Sequence, residues 1–259
     1  MFTSSRLRSL VILLVVFALA AFPSAASATH AWGSYHWART SNPFTLKLGD
    51  NVSSTWDTYL AEASSDWSLS NVLDTTVVQG GTRPKNCRPT KGRVEVCNAT
   101  YGNTNWLGVA QIWVSGIHIT QGTVKVNDTY FNTATYNTPP WRRFVMCQEI
   151  GHTFGLAHQD ENFNNPNLGS CMDYTSDPDG PPSNEHPNQH DYDMLEQIYA
   201  HLDSTTTVSS MPAGMANGDF HSQSEWGRSI RTSSDGRVSL YVRDFGGGHQ
   251  VFTFVIWAK

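Results

Sequence analysis

The sequence predicts an α/β fold of α+β character: a twisted sheet, a site-bearing helix, a tight turn, a last helix, and a small C-terminal β-meander. Three observations predict it. Strand-like and helix-like periodicities alternate through residues 45–126. A helix is punctuated at both ends, by Thr138-Pro139-Pro140 and by Gly155. Three strand-like runs follow a Ser/Thr-rich stretch that begins at Asp203.

The chain opens with Arg6 and Arg8, an apolar run from about Leu10 to Phe22, and Ala26-Ser27-Ala28, the small-x-small pattern of an export cleavage site. Residues 1–28 therefore read as a signal peptide and Thr29 as the mature N-terminus. The apolar run is shorter than the roughly 18–20 residues a membrane span needs, and no later segment is long and apolar enough. A secreted, extracellular protein is expected. Only a few residues separate the cleavage site from Trp32, which leaves no room for an inhibitory pro-segment.

Thr45-Leu46-Lys47-Leu48 alternates like a strand. Over residues 52–68, Trp56, Leu60, Ala63 and Trp67 recur at steps of four, three and four, one apolar face of a helix. Strand-like runs follow at 73–78, 93–97, 108–114 and 117–126, separated by Gly-Gly, Arg-Pro and Ser-Gly. Thr138 can cap a helix with proline in its first turn, running to about Phe154. Gly155, lacking a Cβ, can take the left-handed conformation that ends it. Residues 159–188 read as irregular. Asn188 can cap a last helix of about 189–202, with Tyr192, Leu195, Ile198, Tyr199 and Leu202 on one face. The main domain is thus expected over 29–203, a linker over 204–212 and a small β subdomain over 213–259. Within the latter, Val251–Trp257 is apolar on both faces and should be packed against something.

Without residues 1–28 the chain carries 15 Lys+Arg against 22 Asp+Glu, a net charge of −7. That argues against nucleic acid and anionic membrane as partners. Four cysteines in an exported chain favour disulfides over metal thiolates. Of three possible pairings, Cys87–Cys97 would staple a Pro/Lys/Arg-rich loop and Cys147–Cys171 would tie the punctuated helix to a later turn. The alternative is unpaired buried thiols.

The chemistry is concentrated in Gln148-Glu149-Ile150-Gly151-His152-Thr153-Phe154-Gly155-Leu156-Ala157-His158. Residues four apart share a helix face, so Gln148 and His152 project side by side, with Glu149 displaced around the helix. A bend at Gly155 brings His158 back, which closes one side of a tetrahedral zinc site and leaves the fourth position to water.

This pattern resembles the metzincin zinc metallopeptidases, in particular their matrixin-like members, over roughly residues 32–202. Glu149, His152, Gly155 and His158 stand at the spacing of the family's H-E-x-x-H-x-x-G-x-x-H motif. Met172 follows in Cys-Met-Asp-Tyr, where the family has its Met-turn. The resemblance implies Zn²⁺, endopeptidase activity on a peptide or protein substrate, and a strand within 108–126 along which an extended peptide pairs. It also implies Glu149 as general base, with Tyr174 able to bond an oxyanion.

The departure is Gln148, which stands where the family has its first histidine. An amide oxygen is a poorer donor to zinc than an imidazole nitrogen. Three readings follow. Gln148 or a water takes the position; another donor completes the site, with Tyr174, His118, Asp160 or a reduced Cys147 as candidates; or the fold persists as a non-catalytic secreted binding or inhibitory protein. Met172 is read as packing beneath the metal. Asp160, Asp173, Asp177, Asp179 and Glu185 could hold Ca²⁺ or form a solvated acidic loop. His186, His190, His201, His221 and His249 are read as structural or exposed. Asn51, Asn98 and Asn127 begin glycosylation sequons. Trp226, Tyr241, Phe245 and Trp257 offer an aromatic surface for an adhesin reading, or simply a core.

Overall fold

The computed structural model describes residues 30–209 and 220–258. The signal peptide expected over 1–28, the start at Thr29 and the linker positions 210–212 lie outside them.

Strand β1 is His36–Trp37, and β2, Phe44–Asn51, forms where side chains alternate: Phe44, Leu46 and Leu48 are buried while Thr45 and Lys47 face solvent. Helix α1, Asp57–Trp67, buries Leu60, Ala63 and Trp67, and Trp56 packs just before it on the same face. Burying Leu60 alone contributes roughly 1.5–3 kcal/mol. Strands β3 (Leu73–Gln79), β4 (Val94–Ala99), β5 (Trp106–Ser115) and β6 (His118–Asn127) follow, then a short helix α2 (Asp128–Phe131) capped by Asn127.

Helix α3, Pro139–His152, starts as its sequence demands: Thr138 accepts a hydrogen bond from the Trp141 amide, and prolines fill the first turn, where an amide hydrogen has no partner. Helix α4, Gln189–Ile198, has a reciprocal capping box between Asn188 and Asp191. It stops four residues before the expected 202. The side chains of residues 39–42 divert its end: Asn42 Nδ2 donates to the Tyr199 carbonyl and Arg39 donates to the carbonyl of His201.

The result is a mixed α/β chain with one nine-stranded sheet, ordered β3-β2-β4-β6-β5 and then the C-terminal strands β9 (His249–Trp257), β8 (Val238–Gly246) and β7 (Arg228–Thr232), with β1 beside β6. Pairing is parallel from β3 through β6 and antiparallel from β6 through β7. The C-terminal meander, expected as a small separate subdomain, adds its strands to the main sheet: β9 pairs with β5 from Trp106↔Trp257 to Ser115↔His249. That explains the doubly apolar Val251–Trp257. Phe252, Phe254 and Ile256 join the core shared with the helices, and Val251 and Val255 join a second cluster with Trp106, Trp113, Phe220 and Trp226. Among the described residues no helix is long and apolar enough to cross a membrane. Two disulfides, Cys87–Cys97 and Cys147–Cys171, pair as expected and fit an oxidising environment.

Candidate metal centre

Helix α3 carries Gln148, Glu149 and His152, and all three are buried. Gly155 makes the bend after the helix at φ +98°, and a Cβ there would lie 2.4 Å from the Tyr35 carbonyl oxygen, so the turn accepts only glycine. The chain then returns His158, whose Nε2 lies 3.0 Å from His152 Nε2. His152 Nδ1 is 2.8 Å from the Leu156 carbonyl and must donate to it, which leaves a lone pair on Nε2. Burial holds His152 neutral, pushed down to about 4, and pushes His158 well down too.

Tyr174, expected to bond an oxyanion, has its hydroxyl 2.8 Å from His158 Nδ1, on the far side of the ring from Nε2. It therefore orients His158 rather than facing the gap between the imidazoles. The buried phenol is pushed well above its ordinary value by that burial. Phe163 stacks on its ring at 4.9 Å.

Glu149 points at β5. A Cβ on Gly108 would lie 2.6 Å from Glu149 Oε1, so the bare backbone there makes room for the carboxyl. Burial pushes its carboxyl well above the usual range, partly opposed by a hydrogen bond from the Ala110 backbone. Met172 lies against α3 at Gly151, where an added Cβ would come within 2.6 Å of its Sδ. The neighbouring Cys171 is tied to Cys147 and accepts at its carbonyl a 2.9 Å hydrogen bond from Gln148 Nε2.

These residues fit a zinc ion on two counts. Two donors held at 2.0–2.1 Å by a tetrahedral zinc stand about 3.3 Å apart, close to the separation of the two Nε2 atoms. Gln148 Oε1 and Glu149 Oε2 are buried with no hydrogen-bond partner, an expensive arrangement in a core unless something polar meets them.

The other candidate third donors are engaged elsewhere. Cys147 is in a disulfide. Asp160 accepts from the Asn162 amide and Asn165 Nδ2. His118 lies on β6 with its Nε2 3.1 Å from Asp203 Oδ1. The carboxylates considered for Ca²⁺ are also dispersed: Asp173 accepts from Leu168 N and Asn184, and Glu185 pairs with Arg143. Among the described residues neither they nor Asp177 and Asp179 belong to a group of three with ligand atoms close enough to share an ion.

Two such groups are formed by other residues, whose sequence spacing carries little sign of them. His30, His190 and Asp191 form one, and His36, His201 and Asp203 form the other, each with ligand atoms within 4.8 Å of one another. The only local trace of the second was the His-x-Asp spacing at 201–203.

The strand expected to pair with a substrate is fully occupied. β5 is hydrogen-bonded to β6 on one edge and to β9 on the other, so no edge is left for an extended peptide in this form. Phe254 of β9 also stacks on His152. Arg231 of β7 lies 2.9 Å from Glu161, which is itself 3.9 Å from His158 Nδ1. A scan against protein-family models finds no match for the chain, and a search of curated proteins finds none either.

Proposed function

We propose that this chain is a secreted, zinc-dependent endopeptidase of the metzincin type, with His152, His158 and Gln148 as the metal-holding set and Glu149 as general base. The observation that carries this reading is the convergence of His152 Nε2 and His158 Nε2 at 3.0 Å, on a helix and bend that also bury two unpartnered oxygens, Gln148 Oε1 and Glu149 Oε2. When bound, zinc supplies Lewis acidity and brings the pKa of water towards ~7. Glu149 takes a proton from the attacking water. Its raised proton affinity suits it to hold that proton and pass it to the leaving amine. Leu156 and Tyr174 fix the two imidazoles by their rear nitrogens. For His158 to offer Nε2 as a lone pair, its proton sits on Nδ1 and is donated to the Tyr174 oxygen.

One observation favours a second reading, a non-catalytic binding or inhibitory protein on the same scaffold: β9 fills the edge where a peptide would pair. Zinc content and cleavage of a peptide library by wild type, Glu149→Gln and Gln148→His separate the two. The peptidase reading expects chelator-sensitive cleavage by wild type and a drop of about 10²–10⁴-fold in Glu149→Gln. Zinc-loaded wild type and Gln148→His that both cleave nothing select the second.

A further inference from the structure

We propose a second metal site, of zinc type, made by His36, His201 and Asp203, with His118 beside it on the same carboxylate oxygen. It is independent of the peptidase reading.

The topology assembles it. β1 and β6 run parallel with His36 directly opposite His118, which puts the two rings edge to face at 5.0 Å. His201 and Asp203 arrive from the chain just beyond α4, and the His201 ring meets His36 at 4.7 Å. All three imidazoles present the same atom, Nε2, to the same oxygen: Asp203 Oδ1 is 3.1 Å from His118, 3.4 Å from His36 and 3.7 Å from His201. His36 Nε2 and His201 Nε2 are 3.2 Å apart. The ligand atoms of His36, His201 and Asp203, at 3.2, 3.4 and 3.7 Å from one another, bracket the roughly 3.3 Å edge of a tetrahedron around an ion with donors at 2.0–2.1 Å, and they form a group of three close enough to share one.

The surrounding hydrogen bonds also favour a cation. His36 Nδ1 is 2.7 Å from the Ser34 carbonyl and must donate to it, so Nε2 faces the carboxylate with a lone pair. Lone pair against anion is unfavourable unless a proton or a metal lies between them. The other carboxylate oxygen, Oδ2, is taken by Arg39, through Nη1 at 2.8 Å and its backbone amide at 3.2 Å, which orients the carboxylate and leaves Oδ1 to the imidazoles. Two imidazoles and one carboxylate suit zinc better than calcium or magnesium, which take oxygen ligands. Such an ion would staple the N-terminal strand, the sheet and the end of the last helix.

The test is zinc stoichiometry and thermal stability of the full exported chain, with the α3 site removed by His152→Ala/His158→Ala. That variant is expected to retain about one zinc per chain and to melt higher with zinc than after chelation. Adding His201→Ala, the most exposed ligand, and His118→Ala beside it should abolish both effects while leaving His36 and the Asp203–Arg39 pair in place. His201→Ala alone, at a side chain 53 % exposed, serves as the milder variant if the quadruple change does not fold, and should weaken zinc retention. A folded His152→Ala/His158→Ala protein that holds no zinc overturns the proposal. So does zinc retention unchanged by His201→Ala and by the quadruple change.

Discussion

The imidazole of His152 and the ring of Phe254 are stacked, 4.4 Å between centroids and 9° between planes. One ring comes from the motif helix and the other from the last strand, 102 positions later in the chain. The contact places the C-terminal strand directly on a residue of the proposed metal set. Phe254→Ala should lower stability by about 3–5 kcal/mol, the range for emptying a buried aromatic site. It should also open His152 to solvent. Denaturant melts check the first, and modification of His152 by an imidazole-reactive acylating reagent, read by mass spectrometry, checks the second. Unchanged labelling in a folded variant would mean that Phe254 does not gate the site.

Gln148→His is expected to strengthen zinc binding by at least about tenfold, the lower end of what ligand-shell changes produce. The present amide donates through Nε2 to the Cys171 carbonyl and leaves Oε1 without a partner. A histidine could keep that donation through Nδ1–H and present Nε2, as His152 does with Leu156. Competition titration with a zinc-binding dye measures the change. Equal affinity in the two proteins would show that position 148 does not face the ion.

Gly155→Ala should cost about 1–3 kcal/mol, because φ +98° is unfavourable for any residue with a Cβ and the added carbon would meet the Tyr35 carbonyl oxygen at 2.4 Å. The bend also sets where His158 lands, so zinc affinity should fall as well. A lowered urea midpoint with an unchanged slope is the expected signature of a purely energetic effect.

What could be read from the chain and what could not divide along physical lines. Helix α3 was legible because its signals are local: a capping threonine, prolines that need no amide partner, and a glycine for the turn. The gathering of Gln148, Glu149, His152 and His158 follows from helical spacing and one bend. The β5–β9 pairing was not legible, since partner choice between strands distant in sequence depends on tertiary packing. Its only trace was that Val251–Trp257 is apolar on both faces, as suits a strand covered on both. The cluster of His36, His118, His201 and Asp203 left still less, because three separate segments contribute and His201 lies just beyond a helix end that Arg39 and Asn42 redirect.

The Cys147–Cys171 bridge gives the last prediction. It joins helix α3, one residue before Gln148, to the turn that carries Met172, across a sequence separation of 24. Closing a loop of that length restricts the unfolded chain enough to contribute about 3 kcal/mol. Cys147→Ala/Cys171→Ala should lose about that much. Its effect should reach the site as well, because the Cys171 carbonyl anchors Gln148 and Met172 packs on α3 at Gly151. The matching change at Cys87 and Cys97, separated by only 10 positions, should cost slightly less and leave zinc affinity unchanged, since that bridge ties the 87–97 loop to β4 and touches none of the motif residues. Parallel melts and zinc titrations of the two double variants compare them. Equal loss of zinc affinity in both would mean that the bridges act through global stability alone, and a selective loss in Cys147→Ala/Cys171→Ala would mean that the Met-bearing turn positions the donors.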